Sequence, residues 1–131
     1  MRVVVLVLAA LALAGCGQGN STAGGDSSGD ASLDISVSIG GKEAPTKVWT
    51  LRCPSGGTLP DAELACRNLD RLDDPFGRLP KSFACTEIYG GPQVAIVQGT
   101  FRDKAVNARF SRTDGCQIAR WNRVRFLFPS S

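Results

Sequence analysis

The sequence contains no histidine, and this absence removes several kinds of catalytic site. Serine and cysteine nucleophiles of the triad type need an imidazole to shuttle the proton. Metal sites that depend on imidazole ligands are excluded for the same reason. The sequence also has no Walker-type phosphate loop. Its glycine pair in Gly90-Gly91-Pro92 is typical of a turn and not of a phosphate-binding loop. We therefore expect a protein that is not an enzyme and that needs no metal or cofactor.

A hydrolase that uses two carboxylates as acid and base does not need histidine. Asp70, Asp73 and Asp74 lie close together in the sequence and could in principle act as acid and base. They fall at the end of a predicted helix beside Arg67 and Arg71, which favours a solvated helix terminus. A carboxylate hydrolase stays open as an alternative that requires these groups to line a cleft.

Strong charge of one sign is missing as well, because the net charge is only +3. That value is too small to indicate a nucleic-acid partner. Arg120, Arg123 and Arg125 form a local basic cluster. Arg123 and Arg125 flank Val124, as they would on one solvated face of a strand. Attraction of this cluster to anionic lipid headgroups is a secondary interpretation.

The one long apolar run extends from Val3 to Ala14, directly after Arg2. A bilayer span needs about 20 apolar residues, so this run is too short to cross a membrane and fits a signal peptide instead. Leu13-Ala14-Gly15-Cys16 resembles a bacterial lipobox, in which the cysteine receives a diacylglyceryl group and becomes the new N-terminus. We expect residues 1–15 to be a lipoprotein signal peptide and Cys16 to be lipidated. An ordinary secretory signal with a chance cysteine is the alternative.

Large apolar side chains are absent from Gly17 to Ser32. Such a segment cannot offset its ordering entropy by burial, so residues 16–32 are predicted to form a lipidated, flexible tether. The remaining residues, 33–131, have the size of one small domain. Attachment by two acyl chains at Cys16 would hold this domain at the outer face of the cytoplasmic membrane. An extracellular location is the alternative.

The five cysteines become an even set of four once Cys16 is assigned to the lipid. Zinc is disfavoured for the other four, because no Cys-x-x-Cys pair and no histidine accompany them. Export favours two disulfides, and four cysteines allow three pairings. The four are Cys53, Cys66, Cys85 and Cys116.

Alternation of apolar and polar residues predicts several strands, and one segment has helical spacing. The predicted strands are Leu33–Ile39, Thr46–Cys53, Gln93–Phe101, Lys104–Phe110 and Trp121–Phe128. The helix follows Pro60 and ends at Asp73-Asp74-Pro75, with Ala62, Ala65, Cys66, Leu69 and Leu72 on one face. Core candidates near the C-terminus are Trp121, Phe126 and Phe128. The pattern predicts an α+β fold, a mostly antiparallel sheet with one main helix packed on it.

The stretch Ala84–Pro92 is informative, because Cys85 and the Gly-Gly-Pro turn stiffen it at both ends. A stiff loop gains binding affinity because its ordering entropy is lost before association. Together with other pieces, this stretch resembles the subtilisin-inhibitor-like family of exported bacterial protease inhibitors. The matching pieces are Trp49–Pro54, Gly56-Gly57, Pro60, Ala65–Leu69, Cys85-Thr86, Tyr89–Pro92, Gly99, Cys116 and Arg120-Trp121.

The resemblance implies an α+β fold, in which one main helix and a second short helical turn pack on one side of a twisted antiparallel sheet. It implies the disulfides Cys53–Cys66 and Cys85–Cys116. It also implies that the domain pairs as a homodimer, as is common in the family.

For function, the resemblance implies inhibition of an extracytoplasmic serine endopeptidase by the standard, substrate-like mechanism. The reactive loop would consist of Cys85, Thr86, Glu87, Ile88 and Tyr89, with Glu87–Ile88 as the scissile bond. Met or Lys is familiar in the family where Glu87 stands, and His is common where Leu59 stands. A carboxylate in an apolar pocket carries a desolvation cost, so the expected partner is a subtilisin-like or a glutamyl-type protease. A non-inhibitory envelope lipoprotein that uses the same fold for protein binding is the alternative.

Overall fold

A five-stranded antiparallel sheet forms the centre of the part of the chain that the computed structural model describes, residues 30–41 and 43–129. The strands are β1 (Ala31–Ser38), β2 (Thr46–Arg52), β3 (Gly56–Gly57), β4 (Gly91–Phe101) and β5 (Lys104–Arg112). Their order across the sheet is β3-β2-β1-β4-β5. The predicted signal peptide, the predicted lipidation site Cys16 and the predicted tether as far as residue 29 lie outside the described residues.

Strand β1 lies in the middle of the sheet and shows why one face is buried. Leu33, Ile35 and Val37 are fully or almost fully buried, whereas the residues between them are more exposed. Ile35 is paired with Trp49 on β2 and with Val97 on β4, so the inward residues form continuous rows. Each buried side chain of this size stabilises the fold by about 2 kcal/mol. Positions 31 and 32, which composition places in the tether, are the first two residues of this strand.

Two helices cover the buried face, and the first confirms the predicted one. Helix α1 (Ala62–Asp70) buries Ala65, Cys66 and Leu69. The disulfide Cys53–Cys66 joins the end of β2 to this helix. Within the described residues, no helix combines the length and the apolar character that a membrane span requires.

The predicted last strand, Trp121–Phe128, is wrong. Residues there continue helix α2 (Gly115–Arg123) and a short 3-10 turn (Arg125–Leu127). Asp114 caps the helix, since its carboxylate accepts a hydrogen bond of 2.9 Å from the Gln117 amide. Val124 is buried together with Trp121, three positions before it, and with Leu127 and Phe128, three and four positions after it, which is helical and not strand spacing. Arg123 and Arg125 therefore do not share the face of a strand.

The turn between β4 and β5 is hydrogen-bonded to the end of α1. Both turn residues, Arg102 and Asp103, have positive φ, at 49° and 60°. The Arg102 guanidinium donates hydrogen bonds of 3.0 to 3.2 Å to the backbone carbonyls of Asp70, Leu72 and Asp73. Asp70, Asp73 and Asp74 are exposed, as expected for a solvated helix terminus. Asp73 and Asp74, but not Asp70, also line an open cavity of about 650 Å³.

Candidate functional site

An exposed segment without helix or strand links the region after α1 to β4. It covers residues 83–90, and every residue up to Tyr89 is exposed. Ile88 and Tyr89 keep 61% and 65% of their surface in solvent, although both are large and mostly apolar. Adjacent exposed apolar side chains of this kind mark an interaction site more often than isolated ones do. We call residues Cys85–Tyr89 the anchored loop, for the contacts described next.

Two contacts fix the upstream end of the anchored loop. The disulfide Cys85–Cys116 joins the loop to α2, with the two Cα atoms 5.4 Å apart. The backbone carbonyl of Thr86 accepts a hydrogen bond of 2.9 Å from the Gly115 amide. Both partners are the first residues of α2, so the helix start determines where the loop leaves the domain.

The downstream end is held by backbone contacts with β5. The Gly90 amide donates a hydrogen bond of 2.7 Å to the Arg112 carbonyl, and Gly91 pairs with the same residue across an irregular point of the ladder. A Cβ atom on Gly90 would lie 2.8 Å from a methyl carbon of Ile118 on α2. Glycine at this position therefore lets the chain pass close to the helix.

Between the two anchors, the chain projects from the domain at Glu87 and Ile88. Glu87 is exposed and forms no ion pair with any of the described residues. Within residues 30–41 and 43–129, Glu87, Ile88 and Tyr89 form no backbone hydrogen bond to the domain. These peptide groups can consequently pair with an extended strand of a partner.

The cysteine pairing implied by the resemblance is confirmed, because the structure contains Cys53–Cys66 and Cys85–Cys116. Asp114 lies with Cys85 and Cys116 in a group whose ligand-type atoms are within 4.8 Å of one another. Both sulfur atoms are used by the disulfide, and the Asp114 carboxylate caps α2. This group is therefore structural.

A groove of about 430 Å³ runs beside the anchored loop and was not predicted from the sequence. Its lining includes Phe83 and Ala84 together with Arg120 and Arg123 of α2. Burial lowers the pKa of the Arg120 guanidinium, and the charge of Asp74 opposes this effect. The groove depends on α2 being a helix. The sequence signal for this helix is Asp114 at the N-cap with Gln117 three residues later.

A disulfide-linked α+β domain that presents a loop held at both ends offers a pre-organised surface to a binding partner. The family model described as subtilisin inhibitor-like matches residues 30–113, well over half of the chain, and the chain belongs to this family. No curated protein sequence matches the chain. Family membership indicates a protease inhibitor, not an enzyme, with a serine protease as its partner. The disulfides and the family together indicate an exported protein.

Proposed function

We propose that this protein inhibits an extracytoplasmic serine endopeptidase through the anchored loop, by a substrate-like mechanism. The observation that carries the proposal is the exposure of Glu87 and Ile88 between two fixed points, the Cys85–Cys116 disulfide and the Gly90–Arg112 hydrogen bond. The loop binds the protease cleft as an added strand, and its backbone groups supply the affinity. Little conformational entropy remains to be lost on binding, which favours a tight complex.

The anchors also explain why a substrate-like loop would inhibit and not be consumed. Attack of the protease serine at the Glu87 carbonyl carbon would release the Ile88 amine as leaving group. The Gly90–Arg112 hydrogen bond keeps that amine beside the acyl-enzyme, where its effective concentration is high. Rejoining of the bond then competes with hydrolysis. Even after hydrolysis, Cys85–Cys116 holds the two pieces together.

The side chain of Glu87 is proposed to occupy the specificity pocket and so to select the protease. A carboxylate is costly to bury in an apolar pocket and is repelled by the carboxylate of a trypsin-like pocket. A basic pocket, as in a glutamyl-type protease, offers a charge partner to Glu87, which forms no ion pair among the described residues of its own domain. A subtilisin-like protease is the second candidate, with weaker binding because its pocket does not pair the charge.

We further propose that the inhibitor is held at the outer face of the bacterial cytoplasmic membrane by lipid on Cys16. The sequence supports this through the apolar run that ends in Leu13-Ala14-Gly15-Cys16. Two acyl chains give stable attachment where one would be marginal. The glycine- and serine-rich segment after Cys16 would keep the domain clear of the lipid headgroups.

The open face of the sheet supports the homodimer that the resemblance implies. Val48 keeps 63% of its surface in solvent and lies opposite Ser36, which on its other side lies opposite the exposed Ile96. Small and apolar side chains in one row suit the packing of one sheet on another. A non-inhibitory lipoprotein would use this same face to bind a protein, and it is the second candidate function.

The proposal is tested by measuring inhibition constants of the full-length protein in detergent against a glutamyl endopeptidase, subtilisin and trypsin. We expect the tightest inhibition with the glutamyl enzyme and the weakest with trypsin. Absence of inhibition at micromolar concentration for all three would contradict the proposal and favour the non-inhibitory candidate.

A further inference from the structure

Gly115 lies against the side chain of Thr86, the residue before Glu87 of the proposed scissile bond. A Cβ atom built on Gly115 would be 2.0 Å from Thr86 Oγ1 and 3.3 Å from Thr86 Cβ. The first distance is far below van der Waals contact, and the second is also short. The Gly115 amide at the same time donates to the Thr86 carbonyl.

The backbone of Gly115 does not itself require glycine. Gly115 is the first residue of α2, and it is not among the glycines with positive φ, which are Gly41, Gly57, Gly91 and Gly99. Alanine is a better helix former than glycine, so helix stability alone would favour a side chain here. The contact with Thr86 is the feature of the structure that excludes one.

We infer that Gly115 is a positioning residue for the anchored loop, because its missing side chain sets the distance between Thr86 and the start of α2. This inference rests on the proposed inhibitory role of the loop and adds a determinant outside it. The family model ends at residue 113, so the match itself says nothing about this position.

A side chain at position 115 would force the loop to adjust at its anchor. Thr86 is β-branched, and its rotation about χ1 is restricted in extended backbone. Oγ1 therefore does not easily leave the space that the new Cβ atom needs, and the Thr86 backbone moves away from α2. The Cβ–Cβ distance of 3.3 Å alone asks for a shift of only a few tenths of an ångström. Glu87 would move with Thr86, because only one peptide bond separates the two residues. A loop shift of this kind costs affinity without unfolding the domain.

The test is a double-mutant cycle with Gly115→Ala, Thr86→Ala and the double variant, each as the full-length protein. With Thr86 in place, Gly115→Ala should weaken inhibition of the best-inhibited protease by about 10- to 100-fold. In the Thr86→Ala background the same change should alter inhibition by about twofold or less, since the clashing Oγ1 is gone. Equal effects in both backgrounds, or no effect in either, would overturn the inference.

A second measurement does not depend on inhibition. Amide hydrogen exchange reports the bond from residue 115 to the Thr86 carbonyl directly. Protection of this amide should fall in Gly115→Ala and return in the double variant, while the midpoint of thermal unfolding does not fall. Unchanged protection in Gly115→Ala would contradict the positioning role. Should the wild-type protein inhibit no protease, this exchange result still decides whether Gly115 positions the loop.

Discussion

The Gly90 amide and the Arg112 carbonyl are joined by a hydrogen bond of 2.7 Å at the point where the anchored loop enters β4. The upstream anchors, Gly115 and Cys116, lie only a few residues further along the chain from Arg112. Both ends of the loop are thus attached to one short segment between β5 and α2. The burial of Trp121 and the Asp114 cap stabilise the helix that follows this segment.

Substitution of Glu87 should change which protease the protein inhibits most strongly. Glu87→Met is expected to improve inhibition of subtilisin by about 100-fold, because an uncharged side chain removes the desolvation cost of about 3 kcal/mol. Glu87→Lys should instead favour trypsin, whose pocket holds a carboxylate. Inhibition constants against both enzymes provide the measurement. Glu43→Lys, at an exposed position outside the loop, is the control and should leave both constants unchanged. Identical constants for all Glu87 variants would mean that this side chain does not occupy the pocket.

The two disulfides should have different effects when they are removed. Cys85–Cys116 spans 31 residues and Cys53–Cys66 spans 13, so their loss should cost about 4 and about 3 kcal/mol of stability. Removal of Cys85–Cys116 by paired alanine substitutions should also turn the inhibitor into a substrate that is cleaved and released. The pair at Cys53 and Cys66 is the matched control. It should retain inhibition at temperatures where both variants are folded, as chemical denaturation and inhibition assays can show. Loss of inhibition only in the control would contradict this account.

Arg102 should contribute to stability but not to inhibition. Arg102→Ala removes three hydrogen bonds to backbone carbonyls at the end of α1 and the stacking of the guanidinium 4.5 Å from the centre of the Phe101 ring. We expect a loss of about 2 kcal/mol in the free energy of unfolding, measured in urea. The control is Arg71→Ala, at an exposed position next to the same helix end, and it should cost less than about 0.5 kcal/mol. Equal losses would show that the Arg102 contacts do not stabilise the fold.

Most of the sheet was predictable from the sequence because its strands have one buried and one open face. In β1, Leu33, Ile35 and Val37 alternate with polar residues, and this local pattern predicts the strand. The structure buries the same three residues. The C-terminal segment was not predicted correctly because aromatic and β-branched residues at Val124, Phe126 and Phe128 favour a strand locally. Packing against the sheet selects the helical spacing of its buried side chains instead.

The site was predictable only in part. The cysteines and the Gly-Gly turn indicated a stiffened loop, and the resemblance implied which cysteines pair. The close approach of Gly115 to Thr86 and the hydrogen bond from Gly90 to Arg112 depend on how β5 leads into α2. Such contacts between distant parts of the chain have no signal in sequence periodicity.

Lipid attachment should depend on a single side chain. Cys16→Ser is expected to move the protein from the membrane fraction to the soluble fraction, because the hydroxyl does not accept the diacylglyceryl group. Fractionation of cells followed by immunodetection provides the measurement. Ser21→Ala, in the proposed tether, is the control and should stay with the membrane. Retention of Cys16→Ser in the membrane fraction would contradict lipid anchoring at this residue.

Dimer formation through the open sheet face should be sensitive to charge at Val48. Val48→Glu places a carboxylate in the row with Ser36 and Ile96, where burial against a second sheet would desolvate it. Sedimentation equilibrium should show a dimer for the wild-type protein and a monomer for this variant. Lys47→Glu, which changes the neighbouring position on the opposite face, should remain dimeric. A monomeric wild-type protein would exclude this arrangement.

The most direct measurement is the mass and the cleavage site of the inhibitor after incubation with the protease that it inhibits best. We expect a slow, single cut between Glu87 and Ile88, which adds the mass of one water molecule, and two fragments that separate only after reduction of Cys85–Cys116. Cleavage at another bond, or inhibition that persists when residues Cys85–Tyr89 are replaced by a glycine-serine linker, would contradict a substrate-like role of the anchored loop.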